Sequence, residues 1–347
     1  MTIAIIFGSV SFEHEISIVS AISMKKVLNE KLVYIFIDKN REFFLIPTDK
    51  MKSNLFSSGE YKKFDQLQLV SNGFVRKTLF STKFVDFDVV LNLVHGGDGE
   101  DGVLAGVFKF YNIPFIGPNV EAGVVSCDKY ITKTYATTCD VKTLPCQYFD
   151  RDRTKDIKID SYPCIIKPTK LGSSIGVSIV KEENELEYAL DVAFEFDDTI
   201  VVEPFIDGVK EYNLAGCKID GKFNFSIVEE PQKDEFLDFD KKYLDFNRTS
   251  VVEKANISGE LEKSLKENFI KIYNNTFDGS LIRCDFFVIG DEVYLNEINS
   301  IPGSMANYLF DDFNDIIIKL SQSLPKNRKI DINYEYVNKI QSAKGKA

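Results

Sequence analysis

The sequence contains few of the residues on which zinc and disulfide proteins depend. Its 347 residues include two histidines and six cysteines. The cysteines are scattered, with no Cys-x-x-Cys pair and no metal-ligand spacing that joins them to a histidine. This pattern argues against a zinc site or a disulfide framework, and we expect reduced, mostly buried thiols.

Positive charge and long apolar runs are also scarce. The formal net charge of −11 argues against nucleic acid as a general partner, because binding along a phosphate backbone needs a basic surface. The first apolar run, Ile3–Phe7, is too short to cross a membrane and has no basic leader. It therefore predicts a first strand in a cytoplasmic protein that has no membrane partner. A content of 44% hydrophobic and 27% charged residues is typical of globular domains.

The order of predicted elements indicates three domains in a chain of mixed α/β and α+β class. Residues 1–122 alternate strands and helices, which predicts a parallel sheet whose strand ends carry ligand-binding loops. Residues 123–210 read as a small α+β unit that holds a Gly-Ser-rich loop between two strands. Residues 211–347 contain an Asp220-Gly221 hairpin signal, a loop of mixed charge and a second hairpin.

The second hairpin carries oxygen ligands at its open end. Two apolar runs flank residues 290–292, and a three-residue turn places Asp285 opposite Glu297 and Arg283 opposite Asn299. Strand alternation predicts that these side chains share one face with Phe287, Ile289, Val293 and Leu295. Carboxylate and amide oxygens favour Mg²⁺, and the arginine suggests an anionic substrate. The alternative is a solvent-facing charged pair on an ordinary hairpin.

Two lysines and a glycine-rich loop suggest a phosphate site. Gly172, Ser173 and Ser174 can present backbone N–H groups and hydroxyls to phosphate oxygens. Lys167 ends an apolar strand directly before this loop, where an anion explains it better than burial does. Lys129 lies in the first turn of a predicted helix that Ser126 can cap, where the helix dipole favours an acid. The alternatives are an ordinary turn and a solvated lysine.

Three further places are candidates for ligand contacts. Glu203 and Phe205 end an apolar strand and offer polar groups and an aromatic face to a purine, and Glu211 lies close enough for ribose hydroxyls. His95 begins a loop with four glycines in eight residues. Glu13 lies at a strand-to-helix junction, where it is either a helix N-terminal acid or an acceptor for an ammonium group.

Together these segments resemble the D-alanine–D-alanine ligases of the ATP-grasp superfamily, over residues 3 to about 312. The motifs of that family occur here in order: Ser-x-Glu-x-Glu-x-Ser as Ser11–Ser17, His-Gly-x-x-Gly-Glu-Asp-Gly as His95–Gly102, Asp128-Lys129, Lys-Pro with Gly-Ser-Ser-x-Gly as Lys167–Gly176, Lys242-Tyr243, and Arg-x-Asp with Glu-x-Asn-x-x-Pro-Gly as Arg283–Gly303.

The resemblance implies a three-domain ATP-grasp fold and the ATP-dependent synthesis of D-alanyl-D-alanine for peptidoglycan. Two Mg²⁺ ions, replaceable by Mn²⁺, are expected on Asp285, Glu297 and Asn299. Lys129, Lys167 and Lys242 are expected on the ATP phosphates. Glu13 is expected to bind the first D-alanine ammonium, with His95 near the amino acids. Arg283 and Gly303 are expected to stabilise the oxyanion. Ser173 and Tyr243 are expected to close a lid over the site.

Two departures from the family pattern bear on specificity. Many members carry a serine that meets the second D-alanine carboxylate, and this chain has Asn307-Tyr308-Leu309 in that place. In the strand that borders the adenine, this chain has Phe205 where tryptophan is common. Tyr243 favours an amine over a hydroxy acid, since depsipeptide-forming relatives tend to have histidine there. D-serine or D-lactate as second substrate, a silent nucleotide-binding module and a Mg²⁺ hydrolase are the alternatives. A homodimer is expected because relatives commonly form one.

Overall fold

A computed structural model describes residues 1–77, 81–152, 157–231, 252–326 and 329–344 of the chain. The helices are α1 (His14–Val27), α2 (Ser53–Ser57), α3 (Val103–Phe110), α4 (Val120–Cys127), α5 (Lys129–Thr138), α6 (Leu186–Phe194), α7 (Gly259–Tyr273), α8 (Phe313–Gln322) and α9 (Glu335–Lys344). The strands are β1 (Thr2–Gly8), β2 (Lys31–Ile37), β3 (Phe43–Ile46), β4 (Gln66–Val70), β5 (Gly73–Lys77), β6 (Thr82–Phe84), β7 (Val89–Asn92), β8 (Phe115–Ile116), β9 (Gln147–Asp150), β10 (Cys164–Pro168), β11 (Ser178–Val180), β12 (Thr199–Pro204), β13 (Lys210–Ile219), β14 (Lys222–Glu229), β15 (Ile282–Ile289) and β16 (Glu292–Asn299).

The first sheet has eight strands in the order β6-β5-β4-β3-β2-β1-β7-β8. Strands β2, β1, β7 and β8 pair in parallel, as the alternation of strands and helices predicts. Strands β3 to β6 extend the sheet in antiparallel fashion, so the predicted parallel sheet accounts for only half of it. Residues 47–65, which include α2, link β3 to β4, and short connections link β4 to β5 and β5 to β6. Short connections can join antiparallel neighbours without a crossover helix.

Two antiparallel sheets of four strands follow. The second sheet has the order β11-β10-β12-β9, and the third has the order β14-β13-β15-β16. The Asp220-Gly221 signal is confirmed as the turn between β13 and β14, where Ile219 pairs with Lys222. The second sheet lies within residues 123–210 and the third begins at Lys210, but the domain boundaries themselves stay predictions.

The hairpin of β15 and β16 has the predicted pairing at its open end, but it reaches that pairing in a different way. Asp285 lies opposite Glu297 and Arg283 opposite Asn299. The turn contains two residues instead of three, because Ile289 pairs with Glu292, and a bulge at Asn296 restores the register. The bulge also reverses the alternation. Val293 and Leu295 therefore pack in the core on the opposite face, and their predicted placement beside Asp285 was wrong.

The core of the first sheet includes residues from the end of the chain. Ile3, Ile5 and Phe7 of β1 share one apolar cluster with Met305 and Leu309, and with Phe313, Ile317 and Leu320 of α8. Sequence-distant segments therefore complete a single core that crosses the predicted domain boundaries. In the described part of the chain, no helix combines the length and the apolar character needed to cross a membrane.

Candidate active site

One cleft of about 350 Å³ is bordered by the second and third sheets and by the loops that follow β1 and β7. This volume is within the range of small-molecule sites. Lys242 and Tyr243 lie outside the described residues. All the other predicted site residues line the cleft: Glu13, His95, Lys129, Lys167, Gly172, Ser173, Ser174, Glu203, Phe205, Glu211, Arg283, Asp285, Glu297, Asn299 and Gly303.

Glu13 lies between two glycine loops at one end of the cleft. The Ser173 hydroxyl donates a hydrogen bond to Glu13 Oε1 at 2.5 Å. A Cβ atom on Gly96 would approach Glu13 Oε2 to 2.8 Å, and one on Gly172 would lie 3.2 Å from Oε1, so glycine lets both loops approach the carboxylate. Burial and the nearby Glu100 raise the pKa of Glu13. A positive charge bound beside it would favour its ionised form.

The loop that begins at His95 is fixed by polar contacts on both sides. His95 is buried, and its Nε2 atom lies 3.0 Å from the Ser20 hydroxyl of α1. Its Nδ1 atom lies 3.7 Å from Glu100 Oε1. Further along the loop, Arg41 donates two hydrogen bonds to the Asp98 carboxylate at 2.8 and 2.9 Å. Contacts of this kind hold the glycine-rich backbone in one position beside Glu13.

Glu203 is held between two lysines in the wall of the cleft. Lys167 Nζ lies 2.8 Å from Oε2, and Lys133 Nζ lies 2.8 Å from Oε1 and also donates to the Leu144 carbonyl at 3.1 Å. Burial acts to raise the pKa of Glu203, but the two lysines outweigh it and lower the pKa to about 2. Burial likewise acts to lower the pKa of Lys167, but Glu203 raises it overall. Both groups are therefore charged at neutral pH.

Lys129 begins α5 directly after its capping residue. Asp128 accepts hydrogen bonds from the N–H groups of Tyr130 and Ile131, so Asp128 caps this helix and the predicted cap at Ser126 was wrong. Ser126 belongs to α4, where its hydroxyl bonds the Ala122 carbonyl. Lys129 Nζ donates to the carbonyl of Leu171, next to the Gly-Ser-Ser loop.

The open end of the β15–β16 hairpin brings an arginine and three oxygen-bearing side chains together. Arg283 donates through Nε and Nη2 to the two oxygens of Asp285 at 2.7 and 2.8 Å. Asn299 Nδ2 donates to Asp285 Oδ2 at 2.9 Å, which leaves its amide oxygen as the ligating atom. Burial acts to lower the pKa of Arg283, but Asp285 keeps it well above its usual value.

This set of side chains fits a hard divalent cation. A carboxylate can accept a bidentate arginine and still coordinate a metal through its remaining lone pairs. Asp285, Glu297 and Asn299 provide only oxygen atoms, as Mg²⁺ prefers. Among the described residues no group of three or more His, Cys, Asp or Glu side chains could hold a metal by itself. Any cation here would therefore need the asparagine, water or substrate oxygens as well.

The Pro302-Gly303 bend continues into a strained turn. Ser304, Met305 and Ala306 have φ values of 48°, 53° and 50°, in the left-handed region that non-glycine residues rarely adopt. The Ser304 N–H donates to the Ser20 hydroxyl at 3.3 Å, which ties the turn to α1. Strain of this kind persists only where the surroundings enforce it, and it is common near functional sites. Here it fixes Gly303 at the edge of the cleft.

Three polar residues in or behind the cleft wall were not predicted from the sequence. Lys133 lies in the middle of a helix, where a lysine usually faces solvent, and only its burial beside Glu203 distinguishes it. Asn213 and Glu229 lie within strands of the third sheet and line the cleft itself. The only sequence signal for this pair is a polar residue at an inward-facing position of an otherwise apolar strand.

Comparisons with known proteins agree with this arrangement. The family model described as D-ala D-ala ligase N-terminus matches residues 2–118. The model described as D-ala D-ala ligase C-terminus matches residues 144–313. Together the two models cover most of the chain, including the loops around Glu13 and the β15–β16 hairpin.

One similar protein and two similar solved structures cover almost the whole chain. A D-alanine–D-alanine ligase of Sulfurovum sp. is 59% identical over 348 residues, with 100% of both chains covered. The crystal structure of D-alanine–D-alanine ligase from Helicobacter pylori is 50% identical, covers 94% of this chain and 100% of its own, and has a TM-score of 0.85. VanG D-Ala:D-Ser ligase from Enterococcus faecalis is 25% identical, covers 92% and 98%, and has a TM-score of 0.73. The resemblance in the sequence motifs is thus confirmed, and the chain belongs to the D-alanine–D-alanine ligase family.

Proposed function

We propose that the cleft joins two D-alanine molecules into D-alanyl-D-alanine, with ATP converted to ADP and phosphate, as a step of peptidoglycan precursor synthesis in the cytoplasm. One observation carries the site assignment. A buried carboxylate that suits an ammonium group, three cations and an oxygen-rich metal set line the same cleft, namely Glu13, Lys129, Lys167, Arg283 and the side chains around Asp285.

The first D-alanine binds with its ammonium group on Glu13. Burial raises the pKa of Glu13. The positive charge of the bound ammonium group opposes this rise and stabilises the ionised form of Glu13. Ser173 keeps the Glu13 carboxylate in place through its 2.5 Å hydrogen bond. The D-alanine carboxylate then faces the part of the cleft that contains the lysines and Arg283.

ATP binds against the second sheet and the Gly-Ser-Ser loop. Phe205 and Glu203 border the adenine, and Glu211 borders the ribose. Lys129 and Lys167 neutralise phosphate charge, and Lys242 is assigned to the γ-phosphate from the family motif. Mg²⁺ held by Asp285, Glu297 and Asn299 would neutralise further phosphate charge. Phosphoryl transfer between two anions depends on this neutralisation and on alignment more than on covalent chemistry by the protein.

The reaction proceeds in two balanced steps. A carboxylate oxygen of the first D-alanine attacks the γ-phosphorus, and the bond to ADP breaks. The neutral amine of the second D-alanine then attacks the acyl carbon, and inorganic phosphate leaves while the amine loses a proton. Arg283 and the N–H of Gly303 face the oxyanion of this second step, where each donor contributes on the order of 10²–10³ in rate.

Product analysis tests this function directly. The enzyme is incubated with ATP, Mg²⁺ and an equal mixture of D-alanine, D-serine and D-lactate, and the products are identified by mass. We expect D-alanyl-D-alanine to dominate. A dominant D-Ala-D-Ser or D-Ala-D-Lac product would refute the choice of second substrate. ATP binding without D-alanine-dependent ADP release would indicate a silent nucleotide-binding module.

Sedimentation of the same preparation tests the predicted homodimer.

A further inference from the structure

Four polar side chains form one row across the third sheet. Asn213 of β13 pairs with Glu229 of β14 on one side and with Asp285 of β15 on the other, and Asp285 pairs with Glu297 of β16. All four line the cleft, so they lie on the same face. The row thus runs from the proposed metal ligands, Asp285 and Glu297, to a second pair, Asn213 and Glu229, to which no role has been assigned.

Asn213 has a buried acceptor atom that lacks a partner. Its side chain is only 6% exposed, and its Nδ2 atom donates to Glu229 Oε2 at 3.1 Å. Its Oδ1 atom has no hydrogen-bond partner among the residues that the structure describes. A buried polar atom of this kind costs stability unless a ligand or water supplies the missing donor. Since Asn213 lines the cleft, a bound ligand can supply it.

The metal ions assigned to Asp285 and Glu297 are out of reach of Glu229. Neighbouring strands lie about 4.8 Å apart, so the backbone of Glu229 is roughly 10 Å from that of Asp285, two strands away, whereas Mg²⁺ binds its ligands at about 2.1 Å. Asn213 lies on the strand between them, directly beside Asp285, and its Nδ2 atom donates to Glu229. A ligand that contacts both Asn213 Oδ1 and Glu229 is therefore not one of these metal ions. One carboxylate and one neutral oxygen instead suit a small organic cation with several N–H donors.

The surroundings of Glu229 indicate which cation this is. Strand β14, which carries Glu229, contacts the turn at residues 303–309, which carries Tyr308. Burial raises the pKa of the Tyr308 phenol and Glu229 adds to the rise. Glu229 also helps to raise the pKa of Arg283, so Arg283 is a second charged neighbour of this carboxylate. Tyr308 belongs to the Asn307-Tyr308-Leu309 segment, where many members of the family have the serine that meets the second D-alanine carboxylate. Arg283 Nη1 donates to the Tyr308 hydroxyl at 3.4 Å. The ammonium and carboxylate of one amino acid lie close together. A carboxylate near Tyr308 thus brings its ammonium within reach of Glu229.

We propose that Asn213 Oδ1 and the Glu229 carboxylate bind the ammonium group of the second D-alanine, which loses one proton to solvent before the neutral amine attacks. Glu13 and the pair of Asn213 and Glu229 then form two separate ammonium sites, one for each substrate molecule. The second site selects an amino acid over a hydroxy acid, because a hydroxyl carries no charge to pair with Glu229. This inference rests on the proposed ligase function.

Steady-state kinetics with Glu229→Gln and Asn213→Leu test it. The dependence of rate on D-alanine gives separate KM values for the first and second molecules. We expect both variants to raise the second KM at least about tenfold, the effect of one lost charge-assisted hydrogen bond, and to leave the first KM unchanged. The KM for ATP and the Mg²⁺ concentration for half-maximal rate should also stay unchanged. Glu229→Gln keeps the shape of the side chain. If Asn213→Leu does not fold, the result for Glu229→Gln decides the test.

Two matched variants separate the possible outcomes. Glu13→Gln should raise the first KM and spare the second, and Glu292→Gln, at an exposed carboxylate of the hairpin turn, should change neither. An unchanged second KM in Glu229→Gln would overturn the inference, and so would a parallel rise in the Mg²⁺ requirement. If wild-type enzyme makes the dipeptide, such a result refutes only this ammonium site. If wild-type enzyme makes none, the proposed function itself fails.

Discussion

Replacement of Lys133 by methionine tests whether the buried lysine pair stabilises the cleft wall. Glu203 has a usual pKa of 4.5 and a pKa of about 2 in the fold. This difference corresponds to roughly 3 kcal/mol of stability. Lys133 supplies part of that attraction and also donates a hydrogen bond to the Leu144 carbonyl. The Lys133→Met substitution removes both interactions and leaves the buried carbonyl without this donor. We therefore expect Lys133→Met to lower the free energy of unfolding by about 3 kcal/mol at pH 7.

The effect has a defined pH dependence. Because the pKa of Glu203 is lowered on folding, its stabilising contribution is complete above its unfolded pKa of 4.5 and is lost as the pH falls toward 2. Urea denaturation at a series of pH values should therefore show a constant gap between wild type and Lys133→Met above about pH 5. The gap should narrow below pH 4.5.

Two further variants make the test specific. Lys142→Met removes a lysine whose partner, Glu292, is exposed, and it should leave the urea midpoint unchanged. Adding Glu203→Gln to Lys133→Met removes both charges, and the double variant should lose less stability than the two single variants combined. The reasoning is refuted if Lys133→Met is as stable as Lys142→Met, or if the double variant shows simple additivity.

Three changes address the chemistry of the cleft. Lys167→Ala should raise the KM for ATP sharply because phosphate charge loses a partner; unchanged ATP kinetics would remove Lys167 from the site. Arg283→Ala should lower kcat by on the order of 10²–10³ with a smaller effect on ATP binding. A change confined to KM would limit Arg283 to substrate binding. EDTA should abolish activity and Mg²⁺ should restore it, and Glu297→Gln should raise the Mg²⁺ concentration required. A variant with the wild-type Mg²⁺ requirement would exclude Glu297 as a ligand.

The sequence predicted the pairing of Asp285 with Glu297 and of Arg283 with Asn299, because the spacing of residues determines strand pairing. It could not reveal that a two-residue turn and a bulge at Asn296 replace a three-residue turn, since both give the same pairing of Asp285 with Glu297. The two solutions differ only in the face on which Val293 and Leu295 lie. Core packing decides between them, and that information is not local in the sequence.

Lys133 and Asn213 show a second limit of the sequence. In the sequence, a lysine within α5 is indistinguishable from a solvated one, and an asparagine within β13 looks like a neutral strand position. Their environments come from Glu203 and Glu229, which are many residues away. The glycine loops were easier to recognise, because a Cβ at Gly96 would approach Glu13 to 2.8 Å at a φ of 64°, and one at Gly172 would be tight at 3.2 Å. A site that depends on backbone conformation can be recognised from nearby residues in the sequence. A site that depends on a distant partner cannot.

The shared core of the first sheet has a consequence for how the chain folds during synthesis. Strand β1 is translated long before its apolar neighbours Met305, Leu309 and Ile317. Part of its apolar surface therefore stays uncovered until α8 has been made. Nascent chains with exposed apolar surface are prone to aggregation. A truncation before Met305 would leave strand β1 without this covering.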